Sequence, residues 1–292
     1  MFRPSDCVGK TPMIGVSKKI FAKFETYNPS GSVKDRIAAY IINHAEEFGL
    51  IEPGDTLVEA TSGNTGIAFA LIAAERGYKM KIIMPSNMSE ERKSMMRTLG
   101  AELIEVEAGD FDGAIALRDK LAEENGWFNT NQFHNRLNIE CHALTTGVEI
   151  VEFLREHDLK PAAFVSGTGT GGTIMGVAKT LRAFYSDVKI VAIEPAESAV
   201  MSGGEPGLHG IQGIGDGSKF LVDLDKVDEI ITVPTEVAKE RARSLIKDNG
   251  ILVGISSGAN IYAAEQWKKQ NNPDGVVITM LCDRGERYLS CL

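Results

Sequence analysis

With 292 residues, 43% of them hydrophobic and 24% charged, the chain is long enough for one large or two modest globular domains. A formal net charge of −9 sets it against polyanions, so nucleic acid is not expected as a partner. No apolar run approaches the roughly 20 residues of a membrane span, the start lacks a charged-then-apolar signal pattern, and Cys7, Cys141, Cys282 and Cys291 have no paired spacing. A cytoplasmic protein without membrane contact, disulfide framework or zinc site is therefore expected.

Val8-Gly9-Lys10-Thr11-Pro12-Met13 reads as a turn leading into an alternating strand over 20–25. Asn28-Pro29-Ser30-Gly31-Ser32-Val33-Lys34-Asp35-Arg36 is a second turn. The apolar run from Ile37 predicts a helix to Glu47, with Ser30 or Ser32 as its cap. Lys34 then sits in or beside the first helical turn, where the positive end of the macrodipole disfavours an ammonium and favours the nucleophilic amine. Taken alone, a solvated lysine beside Asp35 and Arg36 explains it as well.

A strand over 56–60 enters Thr61-Ser62-Gly63-Asn64-Thr65-Gly66 and leaves as a helix over 67–76. Strands over 79–84 and 102–106 alternate with a helix from a Ser89 cap to Leu99 and another over 111–125. Residues 129–138 read as irregular, and 129–143 is the expected join between domains. A helix over 143–157 follows, then a strand over 162–165, the loop 166–173 and a helix to Phe184. A strand over 189–193 precedes a long loop, 198–219, in which five glycines fall from Gly207 to Gly217. Strand 229–233, helix 236–249, a short strand 251–255, helix 257–270 and strand 276–281 complete an α/β pattern of parallel βαβ units.

Three times a strand enters a turn of Gly, Ser and Thr and leaves as a helix: at 61–66, 166–173 and 256–258. In open α/β sheets such turns lie at the carboxyl ends of strands, where ligands bind. Their free amides and the helix dipole make each an anion site. Gly167-Thr168-Gly169-Thr170-Gly171-Gly172-Thr173 is the strongest phosphate candidate. Gly167, Gly169 and Gly172 also satisfy Gly-x-Gly-x-x-Gly, which invites a nucleotide-binding oxidoreductase reading. The acid that such a motif needs has only Asp187 as a poor candidate, and no Gly-Lys-Ser/Thr P-loop occurs. A reactive amine, a hydroxyl-rich phosphate cradle and a second anion pocket describe pyridoxal phosphate with an amino acid better. A glycine turn needed only for packing, or a non-catalytic binding module on the same scaffold, is the plainer alternative.

These motifs resemble the cysteine synthases (O-acetylserine sulfhydrylases), fold-type-II pyridoxal-phosphate enzymes. The likeness runs from Val8-Gly9-Lys10-Thr11-Pro12-Met13-Ile14 to Gly285-Glu286-Arg287-Tyr288-Leu289-Ser290. It implies a tryptophan synthase β-like fold: two three-layer, parallel-sheet domains with the active site between them. Residues 1–34 with 143–292 would form the larger, phosphate-binding domain, and 35–142 the smaller, mobile substrate-binding one. Pro85-Ser86-Asn87-Met88-Ser89-Glu90-Glu91-Arg92 resembles the helix of that moving domain.

The resemblance assigns roles by position. Lys34 forms the Schiff base with the cofactor and, once freed, takes the α-proton. Asn64 contacts the ring oxygen, Gly169, Thr170, Gly171, Gly172 and Thr173 hold the phosphate, and Ser256 meets the pyridine nitrogen. Thr61, Ser62, Gly63, Thr65 and Gln132 grip the substrate carboxylate, and Gly213 belongs to the substrate-side loop. The implied reaction is β-replacement on O-acetyl-L-serine through an aminoacrylate, with sulfide or thiosulfate as sulfur donor. Family members are homodimers, and some bind the C-terminal tail of serine acetyltransferase.

Two departures bear on substrate. Cys282-Asp283-Arg284 looks like the thiosulfate-using B type, whereas His209-Gly210-Ile211-Gln212-Gly213-Ile214-Gly215 looks like the A type. Asp216 stands where common cysteine synthases carry a small apolar residue. A carboxyl group there suits a serine- or cysteine-using enzyme that releases hydrogen sulfide or makes thioethers of the cystathionine or lanthionine type; a solvated loop aspartate is the bland alternative. Elsewhere, His44, His134, His142, His157 and His209 lack metal spacing, and His142 reads as packing or helix surface. Met95 and Met96 read as core contacts, Glu123-Glu124 as a solvated helix end, and Cys282 as a buried small hydrophobe.

Overall fold

A computed structural model describes residues 3–292. In chain order its elements are β1 (Met13–Ser17), β2 (Ile20–Phe24), α1 (Lys34–Glu47), β3 (Thr56–Ala60), α2 (Asn64–Arg76) and β4 (Lys79–Pro85). Then come α3 (Glu90–Thr98), β5 (Glu102–Val106), α4 (Phe111–Asn125), β6 (Phe128–Asn129), α5 (Leu137–Leu144) and α6 (Thr146–Glu156). The chain continues through β7 (Pro161–Gly167), α7 (Gly172–Phe184), β8 (Lys189–Pro195), β9 (Glu229–Val233), α8 (Thr235–Asn249), α9 (Ile255–Asn271) and β10 (Val276–Leu281). No helix among the described residues is long and apolar enough to cross a membrane.

The chain divides into two compact units. One holds Asn28–Leu137 with the N-terminal residues through Val8, and the other holds Gly9–Tyr27 and Asn138–Leu292. The cuts thus fall after Val8, before Asn28 and after Leu137; the last lies within the join read over 129–143, while the boundaries that the resemblance implied were 34/35 and 142/143. The reason at the last cut is local: Asn138, Ala143 and His142 of α5 bond to residues on α7 or in the loop before it.

In the first unit the sheet runs β5-β4-β3-β6, all parallel. Such a sheet is covered on both faces, which is why Leu57-Val58 in β3 and Ile82-Ile83-Met84 in β4 read as continuous apolar runs rather than alternating ones. Ile67, Phe69, Ile72 and Met96 pack on one side and Ala114 with Ala122 on the other. Met96 is fully buried and Met95 packs against the same cluster, so both methionines are core contacts. The exception in β3 is Glu59, a carboxylate with no exposure, ion-paired to Arg118 of α4 at 3.1 Å.

In the second unit the order is β1-β2-β10-β7-β8-β9, parallel except for the β1–β2 hairpin. Every residue of β10 is buried. The sequence reading missed β1, because this half-exposed edge strand is short and carries a bulge after Gly15. Lys19, at φ +62°, makes the tight turn into β2. Three further expectations are corrected. The helix expected over 143–157 is two helices: Thr145, at φ −118° and ψ −77°, leaves helical geometry with its hydroxyl turned back onto Cys141 O at 2.7 Å. The strand expected over 251–255 is a single bridge, Val253 to Arg284, because α9 already starts at Ile255. Part of the expected irregular stretch is ordered as β6 and the start of α5, where Asn135 Oδ1 accepts the Leu137 N–H at 3.0 Å.

Asp228, at the entry to β9, clamps the sheet edge. Burial alone would raise its carboxyl group, but the Ile190 N–H at 2.7 Å, Arg182 at 2.6 Å and Lys189 at 3.5 Å outweigh that and hold it below the usual range. A depressed carboxylate adds stability above its unfolded value, about pH 4, and loses it as pH falls through the depressed one. Asp228→Asn is therefore expected to lower the melting temperature by about 2 °C at neutral pH. In a pH series of melts the gap from wild type should close in acid; a gap that acid leaves unchanged would contradict this assignment.

Candidate active site

Each unit carries its own set of the residues singled out from sequence. In the first unit, Pro29 and Gly31 (φ +85°) turn the chain ahead of α1. Ser30 donates its N–H to Asp35 Oδ2 at 2.5 Å and its hydroxyl to Asp35 Oδ1. The buried Asp35 carboxylate thus ties the turn to the first helical turn, where the dipole favours it. The expected serine cap is not formed: Val33, in helical conformation, occupies the cap position, and Ser30 turns to Asp35 instead. Ser32 still accepts the Lys34 N–H at 3.3 Å. Lys34 is the first residue of α1, half-buried.

The turn after β3 leads directly into α2, which begins at Asn64 with Gly63 as extended cap. Thr61 Oγ1 accepts the Gly63 N–H at 3.2 Å, and Thr65 donates its hydroxyl to Gln132 Oε1 at 2.7 Å. The structure thus brings together two residues 67 apart in the chain to which the resemblance assigns one role. What holds Gln132 there was missed. Glu59 accepts the Gln132 N–H at 2.9 Å and the Thr130 hydroxyl at 2.6 Å, while Arg118 neutralises it. A lone acid inside the apolar strand Thr56-Leu57-Val58-Glu59-Ala60 was the available signal.

In the second unit, β7 runs into the loop 167–173 and out as α7. Gly171, at φ +87°, caps the helix in a conformation that suits glycine. Gly167 N–H donates to Asn260 Oδ1 at 2.7 Å, and Thr168 Oγ1 donates to Ile193 O at 2.9 Å. Asn138 Nδ2 donates to Thr170 Oγ1 at 3.0 Å, and Thr173 Oγ1 lies 3.2 Å from His142 Nε2. Asn260 also donates to Met280 O at 2.9 Å and to Cys282 Sγ at 3.4 Å. It sits one helical turn after Ser256, on the same face of α9. Sequence reasoning passed over Asn138 and Asn260, since single polar residues on helices carry no local pattern. Of the two readings given for His142, packing or helix surface, the structure bears out packing: the residue is buried and bonded.

The aperiodic loop beyond β8 is tied to this same site. Gly215 N–H donates to Thr168 O at 2.9 Å, and Leu221 N–H to Thr170 O at 3.1 Å. A side chain on Gly169 would stand 2.7 Å from Gly213 O and 3.1 Å from Asp216 Oδ2. The exposed Asp216 carboxylate therefore lies against the candidate phosphate loop.

With these groups engaged, the backbone N–H groups of Gly169, Thr170, Gly171 and Thr173 have no acceptor among the described residues. They cluster at the N-terminus of α7, which is an anion site in both geometry and field. Ser256 is 3% exposed at the start of α9, and its hydroxyl has no partner among the described residues. No group of three or more His, Cys, Asp or Glu among the described residues could hold a metal ion.

The pyridoxal-phosphate dependent enzyme family matches residues 4–283. The chain is 45% identical to a cysteine synthase of Staphylococcus aureus, over 97% of this chain and 94% of that protein. Among solved structures it is similar to the cysteine synthase of Entamoeba histolytica, with TM-score 0.92 and 39% identity, covering 100% of this chain and 90% of that one. It is also similar to a hydrogen sulfide-producing enzyme of Fusobacterium nucleatum, with TM-score 0.94 and 41% identity, covering 98% and 89%. The donor set fits such a cofactor: unbonded amides and a threonine for a phosphate, and the unbonded hydroxyl of a buried serine for a ring nitrogen.

A Cβ at Gly172 would overlap Asn138 Oδ1, the amide that positions Thr170. Gly172→Ala is expected to cost about 1–3 kcal/mol in urea unfolding and to weaken retention of pyridoxal phosphate on desalting. Full retention with wild-type stability would show that Asn138 yields without consequence.

Proposed function

We propose that this chain, which belongs to the fold-type-II pyridoxal-phosphate-dependent enzymes, is a cysteine synthase that replaces the acetoxy group of O-acetyl-L-serine with a sulfur nucleophile. The observation that carries the reading is the turn 61–65, with Thr65 bonded to Gln132, in one chain with the amide cradle at 169–173. The 45% identity to a cysteine synthase over nearly the whole length supports it.

Pyridoxal phosphate, when bound, supplies the electron sink that lets the α-proton and the β-substituent leave. The residues of this chain do the rest. Lys34 is the amine that binds the aldehyde, and its Nζ takes the α-proton. Gly169, Thr170, Gly171, Gly172 and Thr173 bind the phosphate, and Asn64 the ring oxygen. Ser256 donates its hydroxyl to the ring nitrogen; as a neutral partner it leaves that nitrogen unprotonated, which disfavours transamination. Thr61, Ser62, Gly63, Thr65 and Gln132 orient the substrate carboxylate, and Gly213 lines the substrate side. The unit holding Asn28–Leu137 is the mobile one in this reading, and the enzyme is a cytoplasmic homodimer able to take the C-terminal tail of a serine acetyltransferase.

A second reading has one observation in its favour. The Asp216 carboxylate beside Gly169 could deliver a proton to a poor leaving group or activate water. That suits cysteine or serine as first substrate with release of hydrogen sulfide or formation of a thioether, and the likeness to a hydrogen sulfide-producing enzyme supports it.

Lys34→Ala is expected to lose the visible absorption of the bound cofactor and at least about 10²–10⁴-fold in turnover. Absorbance and cysteine formation measure both, and a fully active variant would end the proposal. Rates with O-acetylserine, serine and cysteine compared in wild type and Asp216→Asn separate the two readings. The second expects the cysteine-to-O-acetylserine rate ratio to fall about tenfold or more in the variant; an unchanged ratio leaves the first alone.

A further inference from the structure

We infer that His142 is a positioning residue that aims the hydroxyl hydrogen of Thr173 at the cofactor phosphate, an inference that rests on the loop 167–173 holding that phosphate. His142 lies on α5 with 1% exposure, and its ring is bracketed by two hydroxyls. Nδ1 is 2.9 Å from Thr146 Oγ1, at the start of α6, and Nε2 is 3.2 Å from Thr173 Oγ1, in the first turn of α7. The ring cannot drift. Gly176 of α7 lets α5 approach so closely that a Cβ there would stand 2.6 Å from His142 Cβ, and Thr180 Oγ1 donates to Ala143 O at 2.6 Å.

Counting hydrogens decides the direction of each bond. A neutral imidazole has one N–H and one lone pair, and each hydroxyl has one hydrogen. Thr146 is fully buried, and its hydroxyl meets only His142 among the described residues. A buried hydroxyl that donates to nothing is costly, so its hydrogen goes to Nδ1. Nε2 is then the N–H, and it donates to Thr173 Oγ1. Thr173 makes no other side-chain bond among the described residues, so its own hydrogen points away from the ring. That hydrogen joins the unbonded amides of Gly169, Thr170 and Gly171 as a donor for an anion. In the other tautomer Thr173 would give its hydrogen to Nε2 and face the phosphate with lone pairs alone, which repel it. The buried Thr146 hydroxyl, which never touches the ligand, sets the polarity of a phosphate contact two hydrogen bonds away.

The test uses the full chain with ¹⁵N-labelled histidine. Ring-nitrogen NMR, with the His142 signal assigned by its loss in His142→Gln, is expected to show a protonated Nε2 and a bare Nδ1; a protonated Nδ1 overturns the inference. A second measurement titrates apoenzyme with pyridoxal phosphate and, separately, with pyridoxal, which lacks the phosphate. Thr146→Val, which keeps the shape, and His142→Leu are each expected to weaken pyridoxal phosphate about tenfold while pyridoxal is unaffected. His142→Gln, whose amide can still donate to Thr173, should keep most of the affinity. Equal losses for both ligands would make His142 a packing residue and sink the inference. If wild type shows no preference for pyridoxal phosphate over pyridoxal, the phosphate assignment of the loop falls first and takes this one with it.

Discussion

A cradle of main-chain amides has to meet two demands that conflict. The amides must stay free of protein acceptors so that an anion can take them, yet the loop carrying them must keep one shape. In the loop 167–173 the second demand is met by groups other than those amides. Asn260 holds the Gly167 amide, Ile193 O receives the Thr168 hydroxyl, and Gly215 and Leu221 bond the carbonyls of Thr168 and Thr170. Asn138 and His142 hold the two threonine hydroxyls. Rigidity is supplied from behind, and the donors in front are left to the ligand.

The other unit orders its loops differently, with buried carboxylates as the anchors. Asp35 gathers the Ser30 amide and hydroxyl and thereby sets the turn ahead of Lys34. Glu59 gathers Thr130 and the Gln132 amide, which puts Gln132 in reach of Thr65. Hydrogen bonds to a charged acceptor are about twice as strong as neutral ones, so one carboxylate can fix a segment distant in sequence. Burying that charge is costly unless it is paired, and Arg118 meets this for Glu59. Loss of Arg118 would therefore be felt at Gln132, through the carboxylate that both bond.

The places where sequence reasoning failed share one cause. The serine cap ahead of Lys34, the unbroken helix over 143–157 and the strand over 251–255 were each reasonable by local rules. Each was overruled by a specific bond, backbone turn or element start: Ser30 to Asp35, the non-helical φ and ψ of Thr145, and α9 beginning at Ile255. His142 was read as packing or helix surface, and the fold chose packing and added two hydroxyl partners. Nothing in its neighbours distinguishes it from a helix-surface histidine, and its role depends on Thr146 and Thr173 converging on one ring.

Periodicity and turn chemistry are local, so the chain alone determined its α/β alternation, the glycine-rich strand-to-helix turns, and a lysine set at the head of a helix. The resemblance carried by those same motifs extended this to the cofactor and the residues around it. Which side chains stand behind the loops was decided only by the fold, because Glu59, Asn138, His142 and Asn260 act through partners up to 93 residues away. A hydrogen bond has a direction and a reach of about 3 Å, and no property of a residue's sequence neighbours specifies what lies at its other end.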